Sequence, residues 1–211
     1  MNEDELWPII HRERSRLADL LATLTPDEWD APSLCDGWRV RDVAAHAITS
    51  ADYSTPTMLL GALRARGDFN RLMDRMAREQ GSRPTAEVLQ RYRRHATSRR
   101  RPPVTKPVDP LVDVLVHSQD VAIPLRREHP MPAEPARLAA RFVLDRGFPY
   151  DALRKNPGIR FVATDVEFVA GDGEPAQGPI SAILLALTGR PAGWDRLSRP
   201  DQPRVPFERP S

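Results

Sequence analysis

Asp113 and His117 lie four apart in one stretch of sequence. On a helix that spacing projects both side chains from the same face, within reach of a shared ion. Asp120 extends this face, while Leu111, Val112, Val114, Leu115, Val116 and Val121 make most of the remaining circumference apolar. His46, on an earlier amphipathic stretch, falls roughly 60° round from Val43, at the edge of that stretch's apolar stripe. Two imidazoles and one carboxylate suit a divalent metal such as zinc, and three protein ligands leave a coordination position open to water or a thiol. A thiol bound there is held as thiolate at neutral pH, because the cation stabilises the charged form.

The same residues admit plainer readings. The polar stripe 113–120 can face water while the rest of its helix packs. Asp42 with His46 is a second acid–histidine pair at the same spacing, so spacing alone does not single out a site. Asp42 and Asp120 are the nearest candidates to orient the imidazoles from behind. Equally, Asp42 can be a first-turn acid on a helix dipole, and Asp120 a solvated surface acid. Cys35, the only cysteine, has no histidine fixed beside it by local spacing and reads as a small buried hydrophobe. Arg91, Arg93, Arg94, Arg99, Arg100 and Arg101, with Tyr92 among them, form a basic cluster that reads as a solvated face. His11, His95 and His129 have no partner by spacing.

Several helices have to position these groups. Leu6, Ile9, Ile10, Leu17, Leu20, Leu21 and Leu24 recur at helical intervals, which predicts a long amphipathic helix over 3–24. Thr25-Pro26-Asp27-Glu28 is a capping-box sequence that opens a short further turn. Val40, Val43, Ala44, Ala47 and Ile48 predict the helix that carries His46. Residues 55–83 are helical in pattern but interrupted by glycines, and another helix is expected over 85–99. Asp109-Pro110 supplies a cap and first-turn proline for the helix bearing Asp113 and His117, which should end near Pro124. A helix over 134–146 is expected to close at Gly147 in a left-handed conformation. Beyond Tyr150 the texture changes. Residues 160–170 are β-branched and aromatic, Gly171-Asp172-Gly173 signals a turn, and two or three short strands should form. Gly178-Pro179 then opens a helix that Gly189 ends. The expected organisation is a helical bundle over 1–150, a small α+β portion over 151–198, and a poorly ordered tail over 199–211.

Composition narrows the partners. With 31 basic and 29 acidic side chains among 211 residues, the near balance argues against nucleic acid. No apolar run approaches the length of a membrane span, and a lone cysteine forms no internal disulfide. These features fit a cytoplasmic protein, and they leave its small-molecule partners and its oligomeric state open.

Ser33-Leu-Cys-Asp-Gly-Trp-Arg-Val-Arg-Asp-Val-Ala-Ala-His46, then Asp113-Val-Leu-Val-His-Ser-Gln-Asp120, then Gly178-Pro-Ile-Ser-Ala-Ile-Leu-Leu-Ala-Leu-Thr-Gly-Arg190 resemble, in order, the mycothiol-dependent maleylpyruvate isomerase family within the wider DinB-like group. The resemblance implies a mainly α protein: a DinB-like four-helix bundle with a small α+β C-terminal portion. It places a divalent metal on His46, Asp113 and His117. It implies mycothiol as thiol cofactor or co-substrate, and isomerisation or S-transfer on a small electrophilic substrate, in which the sulfur adds to the electrophile. The alternative is a metal-binding or stress-response module without catalysis. Two positions depart from the family pattern. Asp113 is shorter than the glutamate of the founding enzyme, and Arg39 stands where a capping threonine or serine is expected.

Overall fold

The stripe in the first 24 residues becomes α1, Glu3–Ala22, capped by Asn2, whose side chain accepts from the Glu5 amide. Its buried face carries Leu6, Trp7, Ile10, Leu17 and Leu21. The structure, a computed structural model, describes residues 2–52, 69–102, 105–147 and 150–199. The expected capping box forms at α2, Pro26–Asp30: the Glu28 amide donates to Thr25 Oγ1 at 3.3 Å, and the Thr25 amide donates to Glu28 Oε2 at 2.8 Å.

The chain forms two compact units, Met1–Pro130 and Met131–Ser211. In the first, α3 (Val40–Asp52) packs on α4 (Phe69–Gly81), α5 (Thr85–His95) and α6 (Asp109–Ala122), and α1 covers α5 and α6. Leu17, Leu21, Val43, Ile48, Val88, Tyr92, Val114 and Val121 meet in the core between them. Burying each large aliphatic side chain contributes on the order of 1.5–3 kcal/mol. Tyr92 is fully buried and donates its hydroxyl to the Ala44 carbonyl at 3.0 Å, so it belongs to the core and not to a basic surface cluster. Arg91 holds Asp52 through two bonds of 2.6 and 2.9 Å, which ties α5 to the end of α3.

The missing cap at Arg39 is replaced from inside the helix. Asp42 is fully buried; it accepts the Arg39 amide at 3.0 Å and the Arg39 guanidinium at 3.1 Å through each oxygen. Gly81 makes this tight corner of α3 and α4 possible, since a Cβ there would come within 2.7 Å of Asp42 Cα. The part of the expected glycine-interrupted helix at 55–68 lies outside the described residues. So does the tail expected at 199–211, apart from Arg199.

In the second unit α7 (Ala133–Asp145) packs on α9 (Ile180–Leu187), which also covers α10 (Pro191–Trp194). The pattern of α7 shows that it buries one face, here Ala136, Ala139, Ala140 and Val143, but not which partner receives it. Its end also differs from expectation: Arg146 turns extended at φ −96°, ψ 122°, and no left-handed glycine is used there. Gly189 does take φ +83°, after α9. The short helix α8 (Ala152–Lys155) leads into three strands, β1 (Ile159–Ala163), β2 (Val169–Ala170) and β3 (Glu174–Gly178), in the order β2-β1-β3. β1 is antiparallel to β2 and parallel to β3, with Phe161 opposite both Ala170 and Ala176. The whole is mainly helical, with a small mixed sheet near the C-terminus. No helix among the described residues is long and apolar enough to cross a membrane.

Candidate metal centre

The helix that carries the acid–histidine pair has no wet face at its centre. Packed between α1 and α3, α6 buries His117, Ser118, Gln119 and Asp120, which are 8%, 2%, 6% and 0% exposed. From His117 to Asp120 the polar stripe therefore does not face bulk water, and these groups need partners inside the protein. Gln119 donates to the His129 carbonyl at 2.7 Å, and Ser118 to the Val114 carbonyl at 2.6 Å.

His117 and Asp120 satisfy each other. His117 Nδ1 lies 2.8 Å from Asp120 Oδ2, and Cys35 Sγ donates to the same oxygen at 3.1 Å. Burial by itself would lower the proton affinity of His117. The hydrogen bonds to Asp120 and Cys35 outweigh it, and the pKa is pushed up to about 10. Because Asp120 occupies Nδ1, Nε2 is the nitrogen His117 can offer a metal, and a carboxylate behind a histidine is the usual device for fixing that orientation.

The two predicted histidines meet. The rings of His46 on α3 and His117 on α6 lie 5.0 Å apart, centroid to centroid, and almost perpendicular at 89°. Trp38 stands 5.1 Å from His46 on an edge-on approach, its indole N–H bonded to Asp74 Oδ1 at 2.8 Å. Asp113 is half-buried one turn before His117. Its charge acts on the Arg14 guanidinium of α1: burial lowers the pKa of Arg14, and Asp113 is the leading opposing influence. Arg14 is 1% exposed and donates to the Ser98 carbonyl at 2.8 Å, whereas its Nε and Nη2 have no hydrogen-bond partner among the described residues.

Asp42 does not stand behind His46. It is held by Arg39, so the cap reading accounts for it, whereas Asp120 is an orienting carboxylate and not a solvated acid. Spacing did not find Cys35. Among the described residues, one group of three side chains brings its ligand atoms within 4.8 Å of one another: Cys35, His117 and Asp120. That group could hold a metal, and it shares His117 with the set His46, Asp113 and His117. The donor chemistry of both suits a borderline-soft divalent ion such as zinc. Two donors of a tetrahedral zinc at about 2.1 Å stand roughly 3.4 Å apart. An ion taking both His117 Nδ1 and Asp120 Oδ2 would therefore have to open their 2.8 Å bond.

Residues 10–122 match the family model described as the mycothiol maleylpyruvate isomerase N-terminal domain. Two solved structures share the fold: crystal structures of the mycothiol-dependent maleylpyruvate isomerase and of a histidine-to-alanine mutant of it. Each has a TM-score of 0.68 at 12% identity, over 98% of this chain and 97% of that one. At that identity the likeness shows the fold alone. No curated protein matches the chain.

Proposed function

The chain belongs to the mycothiol maleylpyruvate isomerase family, and from that premise we propose that it is a metal-dependent, thiol-using enzyme of isomerase or S-transferase type, acting on a small electrophile with mycothiol as the thiol. The observation that carries the proposal is the pairing of His46 and His117 at 5.0 Å with Asp120 fixed on Nδ1 of His117. On this reading Nε2 of His117 and a ring nitrogen of His46 would be the imidazole ligands, and Asp113, one turn before His117 on α6, the carboxylate ligand. Zinc on His46, Asp113 and His117 would supply a positive centre that holds a bound thiol as its nucleophilic thiolate. This chain's residues do the rest. Asp120 holds the imidazole in the ligand tautomer and orientation, and the charge of Arg14 offsets that of Asp113 inside the bundle. Addition of the thiolate sulfur to a conjugated double bond, rotation about the bond so made single, and elimination of the same thiolate returns the isomerised substrate and the unchanged thiol.

The test is thiol consumption or isomer conversion by the zinc-loaded protein with mycothiol and a panel of small electrophiles, including cis-configured unsaturated acids. Turnover above background that His117→Ala abolishes supports the proposal. Stoichiometric zinc with no turnover on any member of the panel would leave a metal-binding module without catalysis.

A further inference from the structure

One short turn before α3 touches both histidines. Ser33 anchors it: Ser33 Oγ accepts the Cys35 amide at 3.1 Å and donates to the Trp38 carbonyl at 2.8 Å, and the Trp38 amide donates to the Cys35 carbonyl at 2.9 Å. Gly37 takes φ +72° to close it. The turn is pinned to α6 by the Leu34 amide, which donates to the Asp120 carbonyl at 3.1 Å, and to α4 by the Trp38 indole on Asp74. From one end Cys35 donates to the carboxylate oxygen that also receives His117 Nδ1. From the other, Trp38 sets its ring edge-on to His46.

We propose that residues 33–38 position the metal centre, with Cys35 fixing His117 through Asp120 and Trp38 fixing His46, and with neither residue a ligand. The inference rests on the reading of His46, Asp113 and His117 as the ligands. A thiol that donates to Oδ2 limits the directions in which that oxygen can turn, and with it the imidazole that Oδ2 holds. Trp38 limits rotation of His46 by contact, and Asp74 limits rotation of Trp38.

Metal release reads positioning without competition from protons on the empty site. The protein is loaded with Co(II), and release to excess chelator is followed together with the cobalt absorption spectrum and the melting of the metal-stripped chain. Cys35→Ala should speed release about tenfold, the low end of what such supporting residues contribute. Cys35→Ser, which keeps a donor, should restore the rate to within about threefold. Trp38→Phe, which keeps a ring but loses the Asp74 bond, should speed release about threefold or more. Stripped Cys35→Ala should melt with the parent chain; if it does not fold, the Ser and Phe variants carry the comparison. Wild-type release rates in Cys35→Ala and Trp38→Phe would overturn the proposal, as would a thiolate-to-cobalt charge-transfer band in the parent that Cys35→Ala removes. The ligand reading fails separately, if the parent takes up no cobalt or if His46→Ala leaves the spectrum unchanged.

Discussion

Replacing Asp120 by asparagine keeps the shape of the side chain and removes the charge behind His117. Burial lowers the proton affinity of that imidazole, but Asp120 and Cys35 outweigh it and push its pKa up to about 10. Without a cation on it, His117 is therefore protonated at pH 7, and any metal taking Nε2 has to displace that proton. Below the raised pKa each pH unit changes the apparent affinity about tenfold, or about 1.4 kcal/mol. Between about pH 7 and pH 9 the parent protein should gain about a hundredfold in zinc affinity. In Asp120→Asn burial still lowers the proton affinity of His117 and only Cys35 is left to raise it, so over the same window the affinity should rise less steeply than in the parent. Lost orientation adds an offset of about 10–100-fold, which shifts the whole curve and leaves its slope alone. Chelator competition in matched buffers across the window measures both slopes. Parallel slopes for parent and variant would refute the claim that the Asp120 carboxylate holds a proton on His117.

Other consequences follow from the bundle. Tyr92→Phe should cost about 1 kcal/mol in chemical denaturation, from the lost hydrogen bond to Ala44. Burial also pushes the Tyr92 phenol up from its ordinary 10.0. Stability from the neutral phenol is complete below about pH 10 and is lost as pH rises through the raised value, so the alkaline fall in melting temperature should be shallower in Tyr92→Phe. Gly81→Ala drives a methyl group into the Asp42 backbone and should cost about 1–3 kcal/mol by denaturant titration; a neutral result would show that α3 and α4 separate freely. Thr25→Ala removes the side-chain acceptor of the α2 cap and should cost about 1 kcal/mol, read the same way.

Features governed by local geometry were legible in the sequence. The α2 capping box, the α1 stripe, the Gly189 stop and the common face of Asp113 and His117 each depend on residues within a turn or two, where helix spacing is decisive. Features that depend on the neighbour of a face were not. The stripe of α6 has the periodicity of a half-wet helix, but α1 and α3 close over it, so its polar residues turn inward and pair. The apolar face of α7 needed a partner that only packing identifies, and it found α9. Asp42 and Asp120 looked alike as acids near a histidine; one became a helix cap and the other a carboxylate behind His117, because Arg39 reaches the first and not the second. Cys35 left no spacing signal, since its contact with Asp120 joins residues 85 positions apart. The meeting of His46 with His117 depends on the same long-range packing of α3 on α6; residue types and the reach of facing helices made it one reading among others, and family resemblance favoured it.

Anomalous diffraction at the zinc edge from crystals of the zinc-loaded protein tests the central claim most directly. The account predicts one strong peak about 2.0–2.2 Å from Nε2 of His117, a nitrogen of His46 and a carboxylate oxygen of Asp113, with Asp120 still bonded to Nδ1. A peak about 2.3 Å from Cys35 Sγ, or no peak touching His46, would contradict it.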